Sequence, residues 1–143
     1  MEKKIYITKS SKETKELGFN FAKILKKGDI VCLYGNLGTG KTTFVQGLAE
    51  GLGIKSRIIS PTFIIVRSYK LGVRNFYHID LYRIDDKKSI KDLGIEEIVN
   101  SPENIVVIEW AEKLKSLMPA KRIDVKFFYE KDNARKVAFS LTT

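Results

Sequence analysis

Gly35-Asn36-Leu37-Gly38-Thr39-Gly40-Lys41-Thr42 packs three glycines into six residues and then presents a lysine and a hydroxyl. Glycine at that density costs backbone entropy on folding. The cost is offset where the chain must wrap an anion, because glycines let backbone N–H groups converge as a nest. The spacing is G-x-x-x-x-G-K-[ST], the pattern of a phosphate-holding loop. Its chemistry assigns Lys41 to the β and γ phosphates and the Thr42 hydroxyl to Mg²⁺. Gly35, Asn36, Leu37, Gly38, Thr39, Gly40, Lys41, Thr42 and the following Thr43 are therefore the candidate nucleotide-binding residues.

Such a loop needs an acid at the end of a nearby strand to organise the metal. Ile105-Val106-Val107-Ile108-Glu109 is an apolar run ending in a carboxylate, and Phe76-Tyr77-His78-Ile79-Asp80 is a second. A carboxylate on a buried strand is expensive unless partnered. A metal or an activated water supplies a partner, so Asp80 and Glu109 join Lys41 as candidate catalytic residues. With Thr42 they are also the candidate metal ligands. The alternative for each acid is a surface position or a salt bridge, with Arg83 at hand for Asp80. His78, the only histidine, is a base, a neighbour of the adenine, or a structural residue satisfied inside the fold. Trp110 packs in the core, stacks on a base or forms a partner surface. Ser60-Pro61-Thr62 is either a plain turn or a switch in which Thr62 meets a γ-phosphate.

The elements that must hold these groups are legible around them. Lys3–Lys9 alternates as a strand, with Ile5 and Ile7 on one face. Ser10 and Glu13 form a capping-box pattern. It opens a helix with Leu17, Phe21, Ile24 and Leu25 at helical spacing, ended by Gly28. Ile30–Tyr34 is a short buried strand that feeds the glycine loop. Phe44, Val45, Leu48, Ala49 and Leu52 mark a second amphipathic helix, stopped at Gly53. Two β-rich runs flank Leu71-Gly72-Val73-Arg74 and predict a hairpin. Residues 89–99 read as a short helix interrupted at Gly94. The run ending at Glu109 is another buried strand, followed by a helical turn or two over Ala111–Leu117. Strands at 122–130 and 135–141 close the chain. The expected fold is α/β: a P-loop NTPase-like three-layer domain spanning residues 1–143, with a mixed, partly parallel sheet flanked by helices.

Composition bounds the reading. The chain has 143 residues, 43% hydrophobic and 30% charged, with a net charge of +9. No apolar run approaches the roughly 18 residues of a membrane span. Cys32 is the only cysteine, so no internal disulfide forms. Met1-Glu2-Lys3-Lys4-Ile5 lacks a signal-peptide stretch, and a cytoplasmic, reducing setting is expected. The lysines are scattered, with no interleaved aromatics as in a base-stacking platform. A solvated Lys/Glu surface is favoured over a dedicated RNA site.

"GNLGTGKTT", "SPTF", "HIDLYR", "LGIEEI" and "IEWAEKL" follow one another in this order. Together they resemble the TsaE family, also called YjeE or YdiB, small bacterial P-loop ATPases. The resemblance runs from the Ser10–Thr14 segment into the tail. It implies a part in forming threonylcarbamoyladenosine beside the tRNA anticodon. A TsaD-like transferase paired with a TsaB-like protein would perform the transfer, and this subunit would hydrolyse ATP to ADP to sustain turnover. It implies that Lys41 holds phosphates, Thr42 and Glu109 hold Mg²⁺, and Asp80 orients or activates the attacking water. Thr62 would lie in a switch-like segment, and Trp110 would support activity or assembly. The Ser10–Thr14 region and a basic tail residue, Arg135 or Lys136, would lie near the base. Contact with tRNA would come through the complex.

Ala111 stands where many relatives have proline. No convincing arginine finger is present; Arg67 and Arg83 are no more than options for one. Such a charge raises phosphoryl-transfer rates by ~10³–10⁵, so the isolated chain should be slow. A small P-loop kinase and a nucleotide-gated binding module are the alternatives. The first needs an acceptor pocket and usually an arginine-bearing lid, and no Arg-rich insertion is present.

Overall fold

The computed structural model describes residues 3–55 and 65–142. Thr62, with Ser60 and Pro61, lies outside the described residues. In chain order the strands are β1 (Lys4–Thr8), β2 (Ile30–Tyr34), β3 (Val66–Leu71), β4 (Arg74–Asp80), β5 (Asn104–Glu109), β6 (Arg122–Tyr129) and β7 (Arg135–Thr142). The helices are α1 (Ser11–Ala22), α2 (Lys41–Gly51), α3 (Lys87–Asp92) and α4 (Ile95–Asn100), with a kinked 3₁₀ segment over Ala111–Leu117.

One sheet runs β1-β7-β6-β2-β5-β4-β3. Its centre is parallel: β2 pairs with β5 and β6, and β5 with β4. The hairpins β3–β4 and β6–β7 and the β1–β7 pair add antiparallel strands at the two sides. The mixed sheet expected from the sequence is thus present. The apolar runs of β2 and β5 are continuous because both faces are covered. Val31, Leu33, Ile105 and Val107 pack toward α1 and α2. Ile30, Cys32, Val106 and Ile108 pack toward α3, α4 and the 3₁₀ segment. Cys32 is fully buried, and burial pushes its thiol pKa up to about 12, so it stays a protonated core residue.

Two faces differ from the amphipathic reading. Ile5 and Ile7 are half exposed, while Tyr6 packs edge-on against Phe139 and Thr8 is buried. The core-facing side of this edge strand is the one bearing the hydroxyls. Helix α1 ends at Ala22, so Ile24 falls beyond the last helical residue and is 60% exposed. The interior of α1 is instead set by Thr14, Gly18, Phe21 and Ala22.

Helices α1 and α2 meet backbone to backbone. A Cβ on Gly47 would stand 1.9 Å from the Lys15 carbonyl oxygen, and one on Gly18 would stand 2.1 Å from that of Phe44. Only hydrogen fits at these crossing points. The close approach lets both helix N-termini reach one cleft.

Candidate active site

The cleft, about 570 Å³, opens at the carboxyl ends of the parallel strands. Ligands of open α/β sheets bind there, and the volume suits a nucleotide-sized molecule. β2 ends at Tyr34 and the glycine loop begins. Gly40 caps α2 at φ 100°, with no side-chain hydrogen bond to the first turn. The N–H groups of that turn are thereby left for an anion, reinforced by the helix dipole. Thr39 is buried, and its hydroxyl donates to the Asn36 carbonyl at 2.7 Å. It braces the loop internally. A Cβ on Gly35 would meet the Phe127 carbonyl and Thr39 Oγ1, each at 2.9 Å, so this glycine seats the loop on β6. Leu37, Gly38, Gly40, Lys41, Thr42 and Thr43 line the cleft.

Strand pleating delivers the acids. Phe76, Ile105 and Val107 point into the α2-side core. The same alternation sends His78, Asp80 and Glu109 to that side of the sheet. Asp80 and Glu109 are register partners at adjacent strand ends. Glu109 is 2% exposed. Its Oε1 lies 3.5 Å from Thr42 Oγ1, and its Oε2 lies 2.6 Å from His78 Nε2. Asp80 accepts from the Tyr82 amide at 3.0 Å. Burial, and then the Glu109 charge, raise the Asp80 pKa above its usual 3.8. His78 is fully buried and lies behind Glu109 instead of facing the cleft. Of the three roles open to it, base and adenine neighbour do not match this position. Among the described residues its Nδ1 has no hydrogen-bond partner.

Lys41 is buried, donates to the Gly35 carbonyl, and lies with Nζ 3.8 Å above the Trp110 ring centroid. Burial lowers its pKa below the usual 10.5, against the opposing charges of Glu109, Glu112 and Asp80. Trp110 adopts the left-handed conformation, φ 59° and ψ 41°. That is a strained state for a bulky residue. Its ring packs on Tyr82 with centroids 5.1 Å apart. Trp110 is thus a wall of the cleft.

At the other rim, Ser10, Thr14 and Arg135 line the cleft. Ser10 Oγ caps α1 by accepting the Glu13 amide, and Glu13 Oε1 accepts the Lys9 amide. Arg135 donates to the Gly38 carbonyl at 3.2 Å and stacks 4.5 Å from the Tyr129 ring centroid. Lys136 projects to Phe128 instead. The basic tail residue at the cleft is Arg135. Tyr129 was not singled out by its sequence context. Its hydroxyl donates to the Leu37 carbonyl at 2.9 Å, a link between residues 92 apart that no local pattern announces. Of the two arginines considered as fingers, Arg83 lines the cleft, while Arg67 sits on β3 opposite His78.

The donor set fits a phosphate-bound Mg²⁺ better than a dedicated protein cage. Among the described residues no group of three or more His, Cys, Asp or Glu side chains gathers as for a metal. Mg²⁺ typically takes one or two carboxylates plus substrate phosphates, with bonds of about 2.1 Å in an octahedron. Thr42 Oγ1 and Glu109 Oε1 are separated by 3.5 Å, near the roughly 3 Å between neighbouring oxygens of such a shell.

Known proteins agree with this architecture. The family model "Threonylcarbamoyl adenosine biosynthesis protein TsaE" matches residues 8–137. The chain is 38% identical over 133 residues to the tRNA threonylcarbamoyladenosine biosynthesis protein TsaE of Bacillus subtilis, covering 93% of this chain and 82% of that one. It is 42% identical over 127 residues to the protein of the same name in Rickettsia prowazekii, covering 88% and 87%. The crystal structure of YdiB from Bacillus subtilis superposes with a TM-score of 0.84 at 33% identity, over 99% of this chain and 87% of that one. A phosphate-type loop, two strand-end acids in register and matches over nearly the whole length lead to one conclusion: the chain belongs to the TsaE family.

Proposed function

We propose that this protein is the Mg²⁺-dependent ATPase subunit of tRNA threonylcarbamoyladenosine formation, working with TsaD-like and TsaB-like partners. One observation carries the enzymatic part. Lys41 and Thr42 of the loop face Asp80 and Glu109, the paired acids of β4 and β5, across a single cleft. A nucleotide-binding module needs the loop, whereas hydrolysis also needs a group that handles water.

The loop amides from Leu37 to Thr43 and the Lys41 ammonium bind the phosphates. Thr42 Oγ1 and Glu109 Oε1 would hold Mg²⁺, which would supply charge neutralisation at the phosphate oxygens. Asp80, held by the Tyr82 amide and raised in basicity, orients the attacking water and accepts its proton. Trp110 and Tyr82 wall the cleft and limit solvent. Ser10, Thr14 and Arg135 bound the end away from the acids, where the base lies. Thr62 serves as the switch residue that senses the γ-phosphate. Among the described residues no helix is long and apolar enough to cross a bilayer.

Asp80→Asn separates binding from chemistry. It should bind ATP with near-normal affinity and lose hydrolysis by at least a hundredfold, the scale of a positioned base. Unimpaired hydrolysis in that variant would overturn the assignment of Asp80.

A further inference from the structure

We infer that His78 is the positioning residue of the metal-binding carboxylate. Its buried imidazole takes up one oxygen of Glu109 and leaves the other turned to Thr42. The inference rests on the proposed Mg²⁺-nucleotide site and adds to it a residue that never touches ligand.

Glu109 is almost wholly buried, and an ionised carboxylate there demands donors. Its rotamer is also underdetermined, because a glutamate side chain has three torsions and a nearly free terminal one. His78 Nε2, 2.6 Å from Oε2, answers both demands. A carboxylate accepts and does not donate, so the proton of this bond sits on Nε2. The bond is short, as charge-assisted bonds are. With Oε2 so engaged, Oε1 is the oxygen that lies 3.5 Å from Thr42 Oγ1.

The placement follows from the sheet. His78 pairs with Val107 across β4–β5, and Glu109 is two residues further along β5. The two side chains are therefore diagonal neighbours on one face, within reach for long side chains. Val107, the register partner of His78, and Phe76, two residues before His78 on β4, have no exposed surface. The imidazole is rigid and fully enclosed, so it fixes a direction and not merely a contact. Groups that orient metal ligands in this way typically alter metal affinity 10–100-fold when removed.

Two amide substitutions test this. In His78→Gln the side-chain amide reaches about as far as Nε2 and can donate to Glu109. In His78→Asn it is one methylene shorter and cannot. Both are polar and uncharged, so burial affects them alike. The readout is an Mg²⁺ titration at fixed ADP, followed by the emission of Trp110, the only tryptophan, which faces the cleft. ADP affinity in EDTA is measured in parallel as a gauge of the intact loop.

The expected result is a half-saturating Mg²⁺ concentration 10–100-fold higher in His78→Asn. His78→Gln should fall within about threefold of the wild type, and ADP affinity in EDTA should be unchanged in both. Equal Mg²⁺ responses in the two variants would overturn the positioning role. So would parallel losses of ADP affinity with and without Mg²⁺, because they report a general collapse of the site. Absence of any Mg²⁺ effect in the wild type would instead overturn the metal site itself, and the inference with it.

Discussion

Gly47→Ala tests the claim that glycines at the α1–α2 crossing hold the cleft together. The added Cβ would stand 1.9 Å from the Lys15 carbonyl oxygen and 2.7 Å from its carbon, against an ordinary contact of 3.4 Å or more. The two helices must therefore separate by about 1.5 Å at this point, the shortfall to ordinary contact. The obstacle is helix backbone, which cannot rotate aside as a side chain would. Overpacking of a fitted core costs about 1–3 kcal/mol, and a backbone obstacle belongs at the upper end. Alanine returns up to about 1 kcal/mol through its higher helix propensity. The net expectation is a loss of about 2 kcal/mol, or roughly 4–8 °C in Tm for a chain of this size. Urea unfolding followed by circular dichroism measures it. ATP titration of the folded variant should show weakened binding, because Ser10 and Thr14 ride on α1. Glu50→Ala on the same helix is the control: its pair with Lys15 is about half exposed and is worth less than about 1 kcal/mol. A Gly47→Ala protein as stable as the wild type, or more so, would refute the reasoning.

Other consequences follow from the same geometry. Tyr129→Phe removes one hydrogen bond to the loop at a solvent-exposed residue. Worth about 0.5–1.5 kcal/mol, its loss should weaken ATP binding up to roughly tenfold by calorimetry, with little change in Tm. Phe44, with no exposed surface and ring contacts to Phe21, Phe127 and Phe139, should cost about 3–5 kcal/mol when cut to alanine, read as a lowered urea midpoint. Asp80 has a folded pKa raised above 3.8 by burial and by Glu109. Its ionised form therefore opposes folding, and stability falls as pH rises from the unfolded value through the folded one. Asp80→Asn should melt higher than the wild type at pH 7 without Mg²⁺, and the difference should vanish below about pH 3.8, the ordinary carboxylate value. The acid limb of ATP hydrolysis should in turn lie above that ordinary value, because Asp80 must be ionised to act as the proposed base.

The elements, and the residues that the fold brings together at the cleft, were legible because the signals are local. The loop spacing, the apolar runs of β2 and β5 with acid ends, the turn at Gly72 and the break at Gly94 are each written within a few residues. What escaped is set by tertiary contact. Ile5 and Ile7 look like a core face, but β1 is an edge strand whose inner side is bounded by Phe139 and α1. Ile24 keeps the helical spacing of Leu17 and Phe21 yet follows the last residue of α1. Gly18 and Gly47 carry no amphipathic signal, and only the crossing of the two helices explains them. The links from Tyr129 to Leu37 and from His78 to Glu109 depend on strand order, which places β6 and β4 beside segments far away in the chain. Arg135 and Lys136 were equivalent in sequence and are separated by the alternation of β7.

ATP turnover by the chain alone and mixed with the proposed TsaD-like and TsaB-like partners, with modified adenosine on tRNA measured in the same mixture, is the most direct measurement. Slow hydrolysis alone, faster hydrolysis with the partners, and sustained modification only when this chain and ATP are both present is the predicted result. Equally fast turnover without partners, or full modification in the absence of this chain, would contradict the account.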